Sequence, residues 1–366
     1  MDSYEKAVSF LRSRTGRSRV QLTGNATSAI YIALRTLRRL SGHGGKVIVP
    51  VVTCANPAYA AVYAGYEPLF CDVDLSTYNL STSHLKSLLE SHKDVRALIM
   101  VHLYGRPCDV AGIQKLTRER NIFLIEDAAQ ALGARYEGQT CGSLGDVSIL
   151  SFGPDKILGL PGGGAILYDR GDFKEEFERE LALLPLKPKN HAALLAEHRK
   201  FYYEARDLEL AGQDANQLFS SIPEKFRQNF LFQATGSEAA LLAQALPKLD
   251  TEIELRTRNA ETYQATLIHP LIEHPSPIAG TASTSSWWRY SFLYKGADRE
   301  EWFRKIRSKG IDVSPWYPAV HRWFEGSKNG SFPNGERLGR EVVNLWTIQK
   351  SPEQIRLDCE TVLKLL

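Results

Sequence analysis

Two side chains in the middle of this 366-residue chain have the types and the setting for covalent chemistry. Asp127 closes the apolar run Phe123-Leu124-Ile125-Glu126-Asp127, which reads as a strand. Lys156 follows a second apolar run and the turn residues Gly153-Pro154-Asp155, and leads into Gly162-Gly163-Gly164. A carboxylate at a strand end can hold the ring nitrogen of a heterocycle. A lysine on a tight loop, its pKa lowered by partial burial, can form a Schiff base with an aldehyde. Together they are the minimum equipment for pyridoxal phosphate chemistry. The plainer readings are a solvated surface lysine and, for Asp127, a helix cap ahead of Ala128-Ala129-Gln130. The paired strand-end context favours the chemical reading.

Other residues gain meaning from this pair. Gly24-Asn25-Ala26-Thr27-Ser28-Ala29 begins a helix whose first amides, with the hydroxyls of Thr27 and Ser28, would cradle a phosphate. Simple N-capping is an equally good account of those residues taken alone. Ser151 is a second candidate phosphate donor, and Gln130 could reach a phenolic oxygen on the ring. His321, in the aromatic loop Trp316-Tyr317-Pro318-Ala319-Val320-His321, is either a wall of a substrate pocket or a packed loop histidine. The pair Trp287-Trp288 reads as core or interface. Gly42-His43-Gly44-Gly45-Lys46 lacks P-loop spacing, and no GxGxxG joins a strand to a helix, which argues against a nucleotide or dinucleotide fold.

The elements that must position these residues follow from hydrophobic patterning. Near-continuous Val/Ile/Leu runs predict strands at 46–52, 68–73, 95–101, 122–126, 147–152 and 165–168, with helices at 56–64, 81–91 and 110–119 between them. That alternation predicts an α/β fold with a mostly parallel, doubly wound sheet, which binds ligands at the carboxyl ends of its strands. A helical region is expected over 173–206, then a polar stretch at 209–233, then a long helix from 237 broken or kinked at Pro247. Short strands and helices after about 268 suggest a smaller α+β domain. We place the large domain at 1–245 and the small one at 246–366; no role is assigned to the insertion at 187–228.

Bulk properties narrow the function classes. With 45 basic against 42 acidic residues and no basic stripe interleaved with aromatics, nucleic acid is not an expected partner. The arginines at 12, 14, 17 and 19 read as a solvated helix face and turn. The five cysteines form no CxxC pair and the histidines show no zinc spacing, so neither a metal nor a disulfide framework is expected. No apolar run is long enough to span a bilayer and the first residues have no signal-peptide character, so a cytoplasmic, membrane-free protein is expected.

These residues resemble the DegT/DnrJ/StrS family of sugar aminotransferases, within the aspartate-aminotransferase, fold type I, group of pyridoxal phosphate enzymes. The likeness is carried by Thr27-Ser28-Ala29-Ile30, VIVP at 47–50, AGYEPLFCDVDLSTYNL at 64–80, VHLYGRP at 101–107 and the whole of 125–166. Weaker echoes follow in AALLAQALPKLD, at 317–321 and in FPNGERLGREVVNLW at 332–346. The resemblance implies a three-layer large domain and a smaller C-terminal one. It implies Lys156 as Schiff-base lysine and proton shuttle, Asp127 on the ring nitrogen, Gln130 on the phenolic oxygen, and Ala26, Thr27 and Ser151 on the phosphate. It further implies a homodimer with shared active sites, in which Asn229 would serve the partner's cofactor, and Tyr104, Tyr317 and His321 as substrate contacts. Cys54 stands where many members place an aromatic ring over the cofactor, and Ala26 where a glycine is usual. The implied reaction moves an amino group from an amino acid, such as glutamate, to a keto sugar linked to a nucleotide. A non-nucleotide ketone or a dehydration, or a binding protein without turnover, are the alternatives. Lysine at 156 favours transamination, because the family's dehydratases carry histidine there.

Overall fold

Near-continuous apolar strands need cover on both faces, and here helices supply it. The computed structural model describes residues 2–210, 213–324, 330–348 and 350–366. In chain order the first strands are β1 (Arg19–Thr23), β2 (Lys46–Pro50), β3 (Glu67–Cys71), β4 (Val95–Val101) and β5 (Phe123–Asp127). The two-residue strands β6 (Arg135–Tyr136) and β7 (Gln139–Thr140) precede β8 (Val147–Ser151) and β9 (Gly164–Tyr168). The large sheet has the order β1-β9-β8-β5-β4-β2-β3. Strands β3, β2, β4, β5 and β8 run parallel, whereas β9 pairs antiparallel with both β8 and β1. Every residue of β5 and β8 is buried, as two-sided cover requires.

The helices are α1 (Ser3–Thr15), α2 (Ala26–Ser41), α3 (Asn56–Tyr63), α4 (Thr82–Ser91) and α5 (Val110–Arg118). Those expected at 56–64, 81–91 and 110–119 agree to within a residue at each end. The region expected to be helical over 173–206 is two helices, α6 (Phe173–Ala182) and α7 (His191–Leu210), parted where Pro185 and Pro188 disfavour helical geometry. The polar stretch contains α8 (Asn216–Lys225) and α9 (Arg227–Phe230). Between α10 (Gly236–Ala245) and α11 (Leu249–Thr266), Pro247 sits in one 3-10 turn, so the long helix breaks where proline lacks its amide donor.

A four-stranded antiparallel sheet follows, in the order β10 (Ile272–Glu273), β12 (Tyr290–Tyr294), β14 (Val342–Leu345), β13 (Val313–Ser314). Strand β11 (Ser283–Thr284) instead pairs with β6 of the large unit. Helices α12 (Arg299–Arg307), α13 (Pro333–Glu341) and α14 (Pro352–Lys364) complete the chain. A second hydrophobic core, including Tyr263, Phe292, Trp302, Phe303 and Ile355, starts within α11. Burying each such side chain contributes roughly 1.5–3 kcal/mol.

Of the N-terminal arginines, Arg17 departs from the expected solvated role. Arg17 is buried, donating to Asp169 at 2.8 Å, to the Gly145 carbonyl at 2.5 Å and to Ser148 Oγ at 3.0 Å. Sequence alone could not reveal this, because the partners lie more than 120 residues away.

Candidate active site

Parallel strands deliver their last residues to one edge of a sheet. Asp127 ends β5 and Ser151 ends β8. The Asp127 carboxyl accepts the Ala129 amide at 2.9 Å, and turns rather than a helix follow, so the capping alternative holds only for that one contact. Burial pushes the Asp127 pKa up, opposed by the Ala129 amide and by the charge of Lys156. Glu126, one residue earlier, accepts His102 Nε2 at 3.0 Å, the amides of Gly142 and Leu144 at 2.7 Å each, and Ser148 Oγ at 2.6 Å. His102, Glu126 and Cys141 lie close enough to hold a metal ion. With four donors already on it, the Glu126 carboxylate anchors the strand end instead.

The loop bearing Lys156 is closed on itself. Phe152 N–H donates to the Gly163 carbonyl at 3.0 Å, Leu160 N–H to the Phe152 carbonyl at 2.8 Å, and Lys156 N–H to the Gly153 carbonyl at 2.9 Å. From the segment just before β12, the Trp288 indole donates to the Asp155 carbonyl. Arg256, fully buried on α11, ties the Ile157 carbonyl at 3.3 Å to the Trp288 carbonyl at 3.3 Å and Thr347 Oγ1 at 3.1 Å. The Lys156 Nζ lies 5.5 Å from the Trp288 ring centroid, and its charge lowers the pKa of both Asp127 and Cys54 against the upward push of burial.

The same loop brings in the start of α2. Gly163, at φ +99°, donates its amide to the Gly24 carbonyl at 2.9 Å. A Cβ on Gly164 would lie 2.5 Å from the Asn25 carbonyl carbon and 2.7 Å from the Ala26 nitrogen, so only glycine admits this approach. Gly164 also pairs with Ser151 across β8 and β9, which sets that hydroxyl beside the helix start. Ser28 is not part of the cradle: its amide caps on Asn25 Oδ1 at 2.8 Å, and its hydroxyl bonds the Phe230 and Phe232 carbonyls. Ala26 and Thr27 remain at the helix end, with no hydrogen bond from the Thr27 hydroxyl among the described residues.

A cavity of about 730 Å³ adjoins this edge, walled by Cys54, Asp155, Tyr202, Trp288, Arg289 and Tyr317, among others. Burial raises the Cys54 thiol pKa. Gln130 accepts the Tyr104 amide at 2.8 Å and sets its Nε2 3.5 Å from the Tyr317 hydroxyl. Three of the expected site residues are enclosed by their own chain. Tyr104 is fully buried and does not line the cavity; its hydroxyl donates to the Trp316 carbonyl at 2.8 Å and accepts the Tyr317 amide at 3.0 Å, so it shapes the loop instead of meeting substrate. His321 is a packed loop histidine, 1% exposed, with its ring centroid 4.7 Å from that of Phe332. Asn229 is buried, donating to the Leu194 carbonyl of its own chain at 3.0 Å.

Sequence reasoning missed Trp288, Arg256, Arg289 and the aromatic face of α7. The tryptophan pair at 287–288 was the available signal, read as core or interface; nothing marked the other residues.

The arrangement matches pyridoxal phosphate in its donor set: a strand-end acid, an amine on a closed loop, and an amide-rich helix start beside a hydroxyl. A glycine-only approach holds the last two together. Such a site on such a sheet defines a pyridoxal-phosphate-dependent enzyme. The model of the DegT/DnrJ/EryC1/StrS aminotransferase family matches residues 4–356, and the chain belongs to that family. It is 29% identical over 347 residues to GDP-perosamine synthase of Escherichia coli O157:H7, covering 92% of this chain and 83% of that one. It is 28% identical over 330 residues to the pleiotropic regulatory protein of Geobacillus stearothermophilus, covering 88% and 78%. The pyridoxal phosphate form of a sugar aminotransferase of Streptococcus pneumoniae, Spr1654, superposes with a TM-score of 0.78 at 19% identity, covering 100% and 92%. No helix among the described residues is long and apolar enough to cross a membrane.

Proposed function

We propose that this chain transfers the amino group of an amino acid, glutamate in the first instance, to the keto group of a nucleotide-linked sugar. The observation that carries this is the meeting of Asp127, the Lys156 loop and the α2 start beside one cavity. The nucleotide-linked acceptor follows the printed name of the E. coli relative, whose substrate class fits a cavity rimmed by the arginines Arg199, Arg206 and Arg307. We place the domain boundary at 245/246, just ahead of the helix in which the second core begins.

When bound, pyridoxal phosphate supplies an aldehyde that carries the amino group and a ring that takes up the electron pair left when a carbon loses its proton. Asp127 would accept the ring N–H and keep that nitrogen protonated, a bond that a buried setting strengthens. Ala26, Thr27 and Ser151 would hold the phosphate, and Gln130 would serve the phenolic oxygen. Lys156 Nζ takes a proton from the reacting carbon and returns it to the neighbouring one, in two half-reactions. Cys54 gives a smaller contact than the family's ring. Tyr104 and His321 have no part in this mechanism. The protein functions as a cytoplasmic homodimer in this reading, supported by the family likeness.

The test is an absorbance spectrum of the purified chain with pyridoxal phosphate, then with glutamate. A visible band that glutamate bleaches is expected. A stable band would sink the donor assignment, and no band would sink the site. The name of the G. stearothermophilus relative favours a second, regulatory reading, which predicts a band and no amine transfer to any keto acceptor.

A further inference from the structure

A second cavity, of about 360 Å³, lies between α11, β12 and the loop that follows β4, and it shares no lining residue with the one beside Lys156. Arg106 stands in its wall. The guanidinium donates from Nη2 to the Ser276 carbonyl at 2.7 Å, whereas Nε is shut from solvent without a partner and Nη1 has no acceptor among the described residues. Burial pushes the Arg106 pKa down, opposed only by the hydroxyls of Tyr78 and Tyr290, and no carboxylate pairs with it among the described residues. A guanidinium drawn into a cavity without an anion is costly, and an anion that enters removes the cost. The side chain is also held in place. Its Cζ lies 5.7 Å from the Trp287 ring centroid, and Asn79 Nδ2 donates to the Arg106 and Pro107 carbonyls at 3.2 Å and 3.1 Å.

The rest of the lining selects the ligand. Thr257, Ser283 and Ser285 bring hydroxyls that make no hydrogen bond among the described residues, and Trp287 adds a flat apolar face. A phosphate presents three acceptor oxygens, enough for the guanidinium fork and for hydroxyls together, where a carboxylate has two. We propose that this cavity is a second ligand site, for a small phosphate-bearing molecule. Arg106 takes the phosphate, and Thr257, Ser283 and Ser285 bond its remaining oxygens or the hydroxyls of a sugar attached to it. The site is separate from the reacting groups and does not depend on which ketone accepts the amino group.

The test uses the full chain loaded with pyridoxal phosphate and freed of excess, so that the cradle at α2 is filled. Wild type, Arg106→Gln, Arg106→Lys and Ser285→Ala are titrated calorimetrically with inorganic phosphate and with glucose 1-phosphate. Both probes are expected to bind wild type. In Arg106→Gln both Kd values rise at least about tenfold, the scale of a lost charge-assisted hydrogen bond, and Arg106→Lys recovers part of the loss. Tighter binding of glucose 1-phosphate than of phosphate, weakened about threefold or more in Ser285→Ala, assigns the cavity to a phosphorylated sugar. Equal binding of the two assigns it to free phosphate. No binding of either probe to wild type overturns the proposal, and so does an unchanged Kd in Arg106→Gln. A loss confined to Arg199→Gln would place the anion in the cavity beside Lys156 and overturn it too. Acetate bound as tightly as phosphate would overturn the choice of ligand. Should Arg106→Gln not fold, Arg106→Lys, which keeps the charge without the planar fork, carries the same comparison.

Discussion

The floor and the wall of the cavity are built from different forces. The floor is held by short hydrogen bonds to backbone: Asp127 on Ala129, the Lys156 loop on Phe152 and Gly163, Gly163 on Gly24. The wall is mostly rings. Tyr202 stacks on Trp316 with centroids 5.3 Å apart, Phe219 stacks on Trp323 at 4.2 Å, and the Tyr202 hydroxyl and Trp323 indole have no partner among the described residues. Directional bonds fix atoms to a fraction of an ångström, whereas dispersion contacts tolerate repacking. One cofactor chemistry can therefore be kept while the wall changes to suit the acceptor.

Substitutions in the floor are expected to have the largest effects. Lys156→Ala should cut amine transfer by roughly 10⁴-fold or more, since it removes both the Schiff-base amine and the proton carrier. Single-turnover bleaching by glutamate measures this, and turnover near wild type would break the comparison at its strongest point. Asp127→Asn should keep cofactor binding and lower turnover by roughly 10²-fold, seen in kcat more than in KM. The same variant should make the cofactor-free chain more heat-resistant at neutral pH. A buried carboxylate with a raised pKa contributes stability while protonated, and loses it as pH rises through that raised value. Asparagine has no charge to desolvate there. Thermal melts of the cofactor-free protein at pH 5 and pH 8 check the sign, with the gain expected at the higher pH.

The floor was legible in the sequence because local rules govern it. Apolar runs placed Asp127 and Ser151 at strand ends, whereas the approach of Gly163 and Gly164 to the start of α2 became visible only in the structure. Pro247 marked the break before α11. The wall was not legible, because it is assembled from segments far apart in the chain: α7, the loop at 316–323 and the tryptophans at 288 and 346. Stacking partners leave no spacing signature. Tyr104 and His321 were assigned to substrate for lying in suggestive motifs, yet three-dimensional packing spent the hydroxyl of one and buried the ring of the other. Arg17 and Ser28 show the same effect, with partners more than 100 residues distant.

Smaller effects should separate the wall from its supports. Tyr202→Ala removes the ring stacked on Trp316 and should weaken acceptor binding about tenfold, the scale of one aromatic contact, while leaving the glutamate half-reaction unchanged. An equal loss in both half-reactions would show that the wall also holds the floor. His321 lies behind the wall. Burial, assisted by the charge of Arg322, pushes its pKa down to about 4, against the pull of Glu336 and Asp72. A histidine that is harder to protonate when folded contributes fully above its unfolded value near 6.5, and that contribution drains away as pH falls toward 4. Wild type should therefore lose up to about 3 kcal/mol from this source between pH 6.5 and 4, and His321→Gln should lose correspondingly less. Urea unfolding at pH 7.5 and 4.5 reads the difference. KM for the acceptor at pH 8 should stay within about twofold of wild type, since a surface-like ±0.5 kcal/mol is all that a residue without substrate contact should cost binding. A tenfold rise in KM with unchanged acid stability would return His321 to the substrate and move the wall one residue layer deeper.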